Sequence, residues 1–145
     1  MESKELSNLY LDLAKEILQR VTFDQSSEDS NEQLLFLVCV ENSMSYLADD
    51  IFNIFQHELD SIKKLNLKFK WTELSKAFAL KNIILRELGP EGLINYIEIS
   101  KSLIHKEEDQ NLITRSDKNN LKKFTLILNK YKAFKELLRK VLDEC

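Results

Sequence analysis

Gly89-Pro90-Glu91-Gly92 contains every glycine and the single proline of this chain, 2 Gly and 1 Pro among 145 residues. Outside this tetrapeptide the chain has almost none of the residues that sheets and tight turns use for positive φ. A sheet of several strands would need such turns repeatedly, so the chain reads as a string of helices with one sharp break. Gly89 is expected to end the helix before the break as a left-handed cap, and Pro90 to start the next at its first position. The same scarcity removes the glycine-rich loops on which phosphate and dinucleotide sites are built.

Working outward from the break, periodicity of three and four marks five main helices. The first is expected from Ser3 to Thr22, with Leu6, Leu9, Tyr10, Leu13, Ile17 and Val21 on one stripe. Asp24 to Ser30 is acidic and serine-rich and reads as a loop. Ser30 and Gln33 match a capping box, so a long second helix is expected from about Asn31 to Leu65. Its run from Leu34 to Val40 is apolar on all sides, as in a helix surrounded by neighbours. Leu65, Leu67, Phe69 and Trp71 alternate with polar residues. A strand there would have no partner, so an extended connector anchored by Leu67, Phe69 and Trp71 is expected. Thr72 is the expected cap of a third helix, with Leu74, Ala77, Phe78, Lys81, Leu85 and Leu88 at helical spacing. The fourth carries Leu93, Ile97, Ser100 and Ile104. A polar loop over 106–117, anchored by Leu112 and Ile113, leads to Ser116 or Asp117 as cap of the fifth. Leu121, Phe124, Leu128, Tyr131, Phe134, Leu138 and Val141 line that helix. The expected core includes Leu35, Val38, Cys39, Leu47, Phe124, Leu128, Tyr131 and Leu138. The fold class is all-α, a single-domain bundle of about five helices over residues 1–145.

Composition narrows the function classes. An apolar fraction of 43% and a charged fraction of 31% are those of a globular protein. No apolar run approaches the roughly 20 residues of a membrane span, and the polar Met1-Glu2-Ser3-Lys4-Glu5 does not read as a signal peptide. Cys39 and Cys145 form neither a disulfide framework nor a zinc motif, in keeping with an intracellular home, cytoplasmic or nuclear. Net charge is −3 but unevenly placed: the balance is −10 over residues 1–62, +2 over 63–117 and +5 over 118–145. Acidic and basic helices that pack together would neutralise one another. The alternative is a dipolar surface that binds partners at its ends.

Catalytic and metal motifs fail one by one. His57-Glu58 begins a zincin helix, but Ser61 stands where its second histidine belongs. Gln56-His57-Glu58-Leu59 is similar to the phospho-acceptor box of sensor kinases, and Asp60, Ser61 and Ile62 depart from it. His57 therefore reads as a surface histidine. No histidine follows any arginine at the spacing of the helical ribonuclease toxins, and there is no EF-hand glycine or nucleophile elbow. No cofactor is expected. Two features point to binding. Lys63, Lys64, Lys68 and Lys70 interleave with Phe69 and Trp71, a pattern that serves single-stranded nucleic acid. On the last helix Lys132 and Arg139, with Lys118, Lys122 and Lys140, fall opposite the apolar stripe. The resulting expectation is a non-enzymatic adaptor, regulator or small subunit acting through a protein partner, with self-association as a dimer. Nucleic-acid binding through 63–71 and the basic last helix is the alternative.

Overall fold

The computed structural model describes the backbone of residues 2–24, 26–110 and 117–144, and the side chains of these outside 105–120 and 144. Among the described residues the chain is all-helical. Its elements in order are α1 (Ser3–Arg20), α2 (Ser27–Phe55), α3 (Leu67–Leu74), α4 (Lys81–Leu88), α5 (Leu93–Gln110) and α6 (Asp117–Glu144). The expected loop over 106–117, its anchors Leu112 and Ile113 and the Ser116 or Asp117 cap lie largely outside the described residues, as does Cys145.

α2 is the central element. It buries Phe36, Leu37, Val40, Met44, Ala48 and Ile51 in one cluster with residues of the other helices. It begins earlier than the capping box implied. Ser26 is the N-cap, and its hydroxyl accepts from the Asp29 backbone N–H. Gln33 is used differently, donating its amide to the buried Asp29 carboxylate, which also accepts from the Thr22 N–H and hydroxyl. The helix ends at Phe55 rather than near Leu65, and residues 56–65 run through turns. Leu35 is 44% exposed, and Val38 and Leu47 are half-buried. The all-apolar run thus buries Phe36, Leu37, Cys39 and Val40, while its first residues face outward.

α1 packs along α2 as an antiparallel hairpin. The Ser7 hydroxyl donates to the Ser43 carbonyl at 2.8 Å, and the Ser43 hydroxyl is 2.7 Å from the Tyr131 hydroxyl. This polar triad sits in the core and displaces the buried face of α1 from the expected stripe. Ser7, Leu11, Ala14 and Ile17 are buried, whereas Leu9 and Leu13 are exposed. The hairpin loop holds Phe23 at φ 55°, a left-handed conformation. The strained backbone sends the ring inward to pack edge-on against Phe124.

From Leu67 onward the expected connector is the helix α3, not extended chain. Asn66 caps it, accepting from the Phe69 N–H. Thr72 lies inside α3 and bonds back to the Lys68 carbonyl, so it caps nothing. The expected third helix is divided into α3 and α4 by turns over 75–80, and Phe78 and Leu85 are exposed rather than core. The chain breaks at Gly89-Pro90 as expected, with different geometry. Gly89 adopts extended backbone, φ −76° and ψ 177°, and α5 starts at Leu93 rather than Pro90. Gly92 is the glycine the fold demands, because a Cβ there would overlap the Glu87 backbone.

α6 is held against the bundle by large rings. Phe124 stacks on Phe36 at 4.9 Å, Tyr131 reaches Ser43, and Phe134 meets Trp71 edge-on at 5.1 Å. Beyond Phe134, Leu138 and Leu142 project toward the hairpin, and there a groove opens.

Candidate interaction groove

The groove lies between the first half of α1, the last half of α2 and the C-terminal half of α6, with a volume of about 600 Å³. Leu11, Leu47, Ile51 and Leu138 form its apolar floor, and Ile54 and Leu142 its rim. Lys4, Asn8, Lys132, Lys135 and Arg139 stand on the α1 and α6 sides, and Asp50 on the α2 side; Glu136 and Asp143 complete the α6 wall. The volume is that of a ligand site, and the mixture of apolar floor and polar rim is that of a binding surface.

Two of the expected partner-binding residues, Lys132 and Arg139, meet in this groove. Lys132 is exposed. Arg139 is engaged within its own helix, with Glu136 on one side and Asp143 at 2.9 Å on the other. This fork holds the Glu136 carboxyl below its usual range. Lys135 stands at i+3 from Lys132 and four residues before Arg139, so the three form one row on the helix. Its ammonium lies over the Tyr131 ring, 5.6 Å from the centroid, and 3.4 Å from Asn8 Oδ1. Burial pushes its affinity for the proton below the ordinary lysine value. The charges of Lys15 and Lys4 add to this shift and Asp12 opposes it. Lys135 escaped the sequence reading, although its spacing from Lys132 and Arg139 was visible there. The walls from α1 and α2 had no such signal, being about 80 residues or more distant in sequence.

The expected 63–71 site does not assemble as one surface. Lys63, Lys64 and Lys68 are exposed, and Phe69 is 58% exposed. Lys70 is buried, its ammonium bonded to both Asp49 carboxylate oxygens at 2.8 and 3.0 Å. Trp71 is 1% exposed and is a core side chain. Neither can touch a partner. The helical period explains this: residues 70, 71 and 74 face the bundle together, while Lys68 and Phe69 face out. Lys68 instead borders a smaller hollow of about 280 Å³ with Gly89, Pro90, Ile94 and Glu98.

His57 is exposed. Among the described residues there is no group of three or more His, Cys, Asp or Glu placed to hold a metal ion, and no helix long and apolar enough to cross a membrane. The Ser7 hydroxyl in the groove lining is committed to Ser43. No family model, no curated protein and no solved structure matches this chain.

Proposed function

We propose that this protein is a non-enzymatic helical adaptor or small subunit that acts by docking a partner protein in the groove between α1, α2 and α6. The observation that carries the reading is the groove itself, with an apolar floor, an exposed apolar rim at Ile54 and charged side chains around it. Burial of such a rim and floor supplies affinity, while the surrounding charges set register. The Ser7 hydroxyl of the lining is held by Ser43 rather than by a general base, which supports binding over nucleophilic chemistry there.

Ile54 is 55% exposed, so replacing it leaves the core intact. The test compares partners captured from the protein's own cells by the wild type and by Ile54→Gln with Leu142→Gln. The expected outcome is a partner held by the wild type and lost by the folded variant. Equal capture by both removes the groove from the function.

One observation favours a second reading. Phe69 and Phe78, the latter 92% exposed, stand along a segment that also carries Lys63, Lys64, Lys68, Lys76 and Lys81. Exposed rings among lysines can stack on bases while the amines meet phosphates. Binding of a single-stranded oligonucleotide that weakens steeply with salt, and that Phe78→Ser abolishes, would support this reading.

A further inference from the structure

The charges around the groove are not balanced by the fold. Ion pairs between elements join Glu32 to Arg20, Asp49 to Lys70 and Glu41 to Lys101. These acids of α2 are thereby answered from α1, α3 and α5. Among the described residues no ion pair links α6 to another helix; Arg139 bonds only to acids of its own helix. Lys132 and Lys135 on α6 and Lys4 on α1 therefore face the groove together, with Asp50 the remaining lining acid that no ion pair engages among the described residues. Lys135 is half-buried, with a neutral amide and an aromatic face for contacts, and of the charges near it on α1 the two lysines Lys4 and Lys15 outnumber the one acid, Asp12. Opposite charge from outside the chain would complete this cluster.

The shape narrows the occupant. The α6 wall from Lys132 to Asp143 spans roughly 16 Å at the helical rise, the length of about three helical turns. An apolar strip along Leu47, Ile51 and Ile54 beside Leu138 and Leu142, with a charged row along one edge of the wall, matches a helix that presents anchors at i, i+4 and i+7. A second copy of this chain is a poor fit. Its α6 is basic, its α1 carries Lys4, Lys15 and Arg20 among its acids, and its α2 is the central core helix.

We propose that the groove receives an amphipathic helix of a partner protein, with its apolar face on Ile54, Leu142 and the floor and an acidic edge against Lys4, Lys132 and Lys135. The inference rests on the protein-docking reading above and adds the partner's chemistry to it.

The test uses the full chain and two labelled peptides of about 16 residues, followed by fluorescence anisotropy. Both carry the same leucine face at helical spacing; one has glutamates along its flank and the other lysines. The expected result is that the acidic peptide binds about tenfold more tightly or better, and that added salt erodes the preference. Lys4→Glu with Lys132→Glu, both exposed positions, should abolish or reverse it, and Ile54→Gln should weaken both peptides. Circular dichroism confirms that each variant is folded. Equal or tighter binding of the basic peptide overturns the inference. So does binding of dodecanoate when neither peptide binds, because the occupant is then a lipid. A fall in mass by light scattering on Ile54→Gln also overturns it, because the occupant is then a second copy. If neither peptide binds while Ile54→Gln with Leu142→Gln still loses its cellular partner, the acidic helix is refuted and the docking reading stands.

Discussion

The Lys70 ammonium lies between both oxygens of Asp49, with the lysine side chain 6% exposed and the aspartate 21%. Their roles are unequal because their burial is unequal. Removing the aspartate strands a buried cation, whereas removing the lysine leaves a carboxylate that water can reach. Asp49→Ala should therefore cost about 3 kcal/mol, and Lys70→Met about 1 kcal/mol or less, by urea denaturation. Comparable losses would mean that Lys70 finds another acceptor. Trp71 beside it is a packing residue, so Trp71→Ala should lower the melting temperature by roughly 10 °C. A variant that melts like the wild type would return Trp71 to the surface. Tyr131 gives a pH test. Burial raises its hydroxyl above the ordinary value of 10.0, and the bonds to Ser43 and Ser7 only partly offset this. The fold thus favours the neutral phenol. Its contribution is complete below about pH 10 and declines as pH rises through and beyond that value. Tyr131→Phe should lose about 1 kcal/mol at neutral pH and show a shallower decline between about pH 9.5 and 11. Burial raises the Cys39 thiol in the same sense, so some alkaline loss remains in the variant. An unchanged slope would place the ionisation elsewhere.

At the scale of elements, legibility follows from whether burial obeys the hydrophobic pattern. The helical class and the break at 89–92 could be read because helical spacing and turn residues agree there, and the start of α1 at Ser3 was legible although its buried face was not. The 65–71 segment could not be read. Its period-two alternation runs through Lys70, which is buried by an ion pair 21 residues away in sequence, and through Phe69, which is exposed. No apolar pattern encodes either fact. The end of α2 was missed because residues 56–65 contain neither glycine nor proline to mark the turns. Half of the groove was visible as the basic edge of α6. The other half is tertiary, since α1 and α2 meet that edge only after folding. The position that requires glycine is Gly92 rather than Gly89, the expected left-handed cap. Gly89 has extended backbone, and a methyl added to it would meet nothing closer than 3.5 Å, so it tolerates a side chain. Gly92 is pressed against the Glu87 backbone, which cannot swing aside. Gly92→Ala should cost about 1–3 kcal/mol, whereas Gly89→Ala should be neutral or slightly stabilising through the unfolded chain. Thermal melts of the two variants check this, and a larger loss at Gly89 would reverse the assignment.

Across the whole molecule, the charge gradient is only half resolved by folding. Acids of α2 find partners on α1, α3 and α5, while among the described residues the cations of α6 find none on another helix. This bears on self-association. Leu126 and Leu137 are exposed and lie within about 20° of one another around α6, three turns apart. They form an apolar stripe suited to a two-fold contact between copies. Lys122, Lys130 and Lys140 lie along the same face, so pairing two such faces brings like charges together. A dimer built this way should be weak at low ionic strength and tighten as salt screens the lysines, the reverse of the acidic-helix complex in the groove. Light scattering at high protein concentration should show mass rising toward the dimer between about 50 and 500 mM salt. Leu126→Lys with Leu137→Lys should hold the chain monomeric throughout. A monomer mass at every salt concentration refutes the dimer. A dimer that loosens with salt also refutes this contact, because the acidic α1–α2 hairpin of one copy would then be meeting the basic α6 of the other.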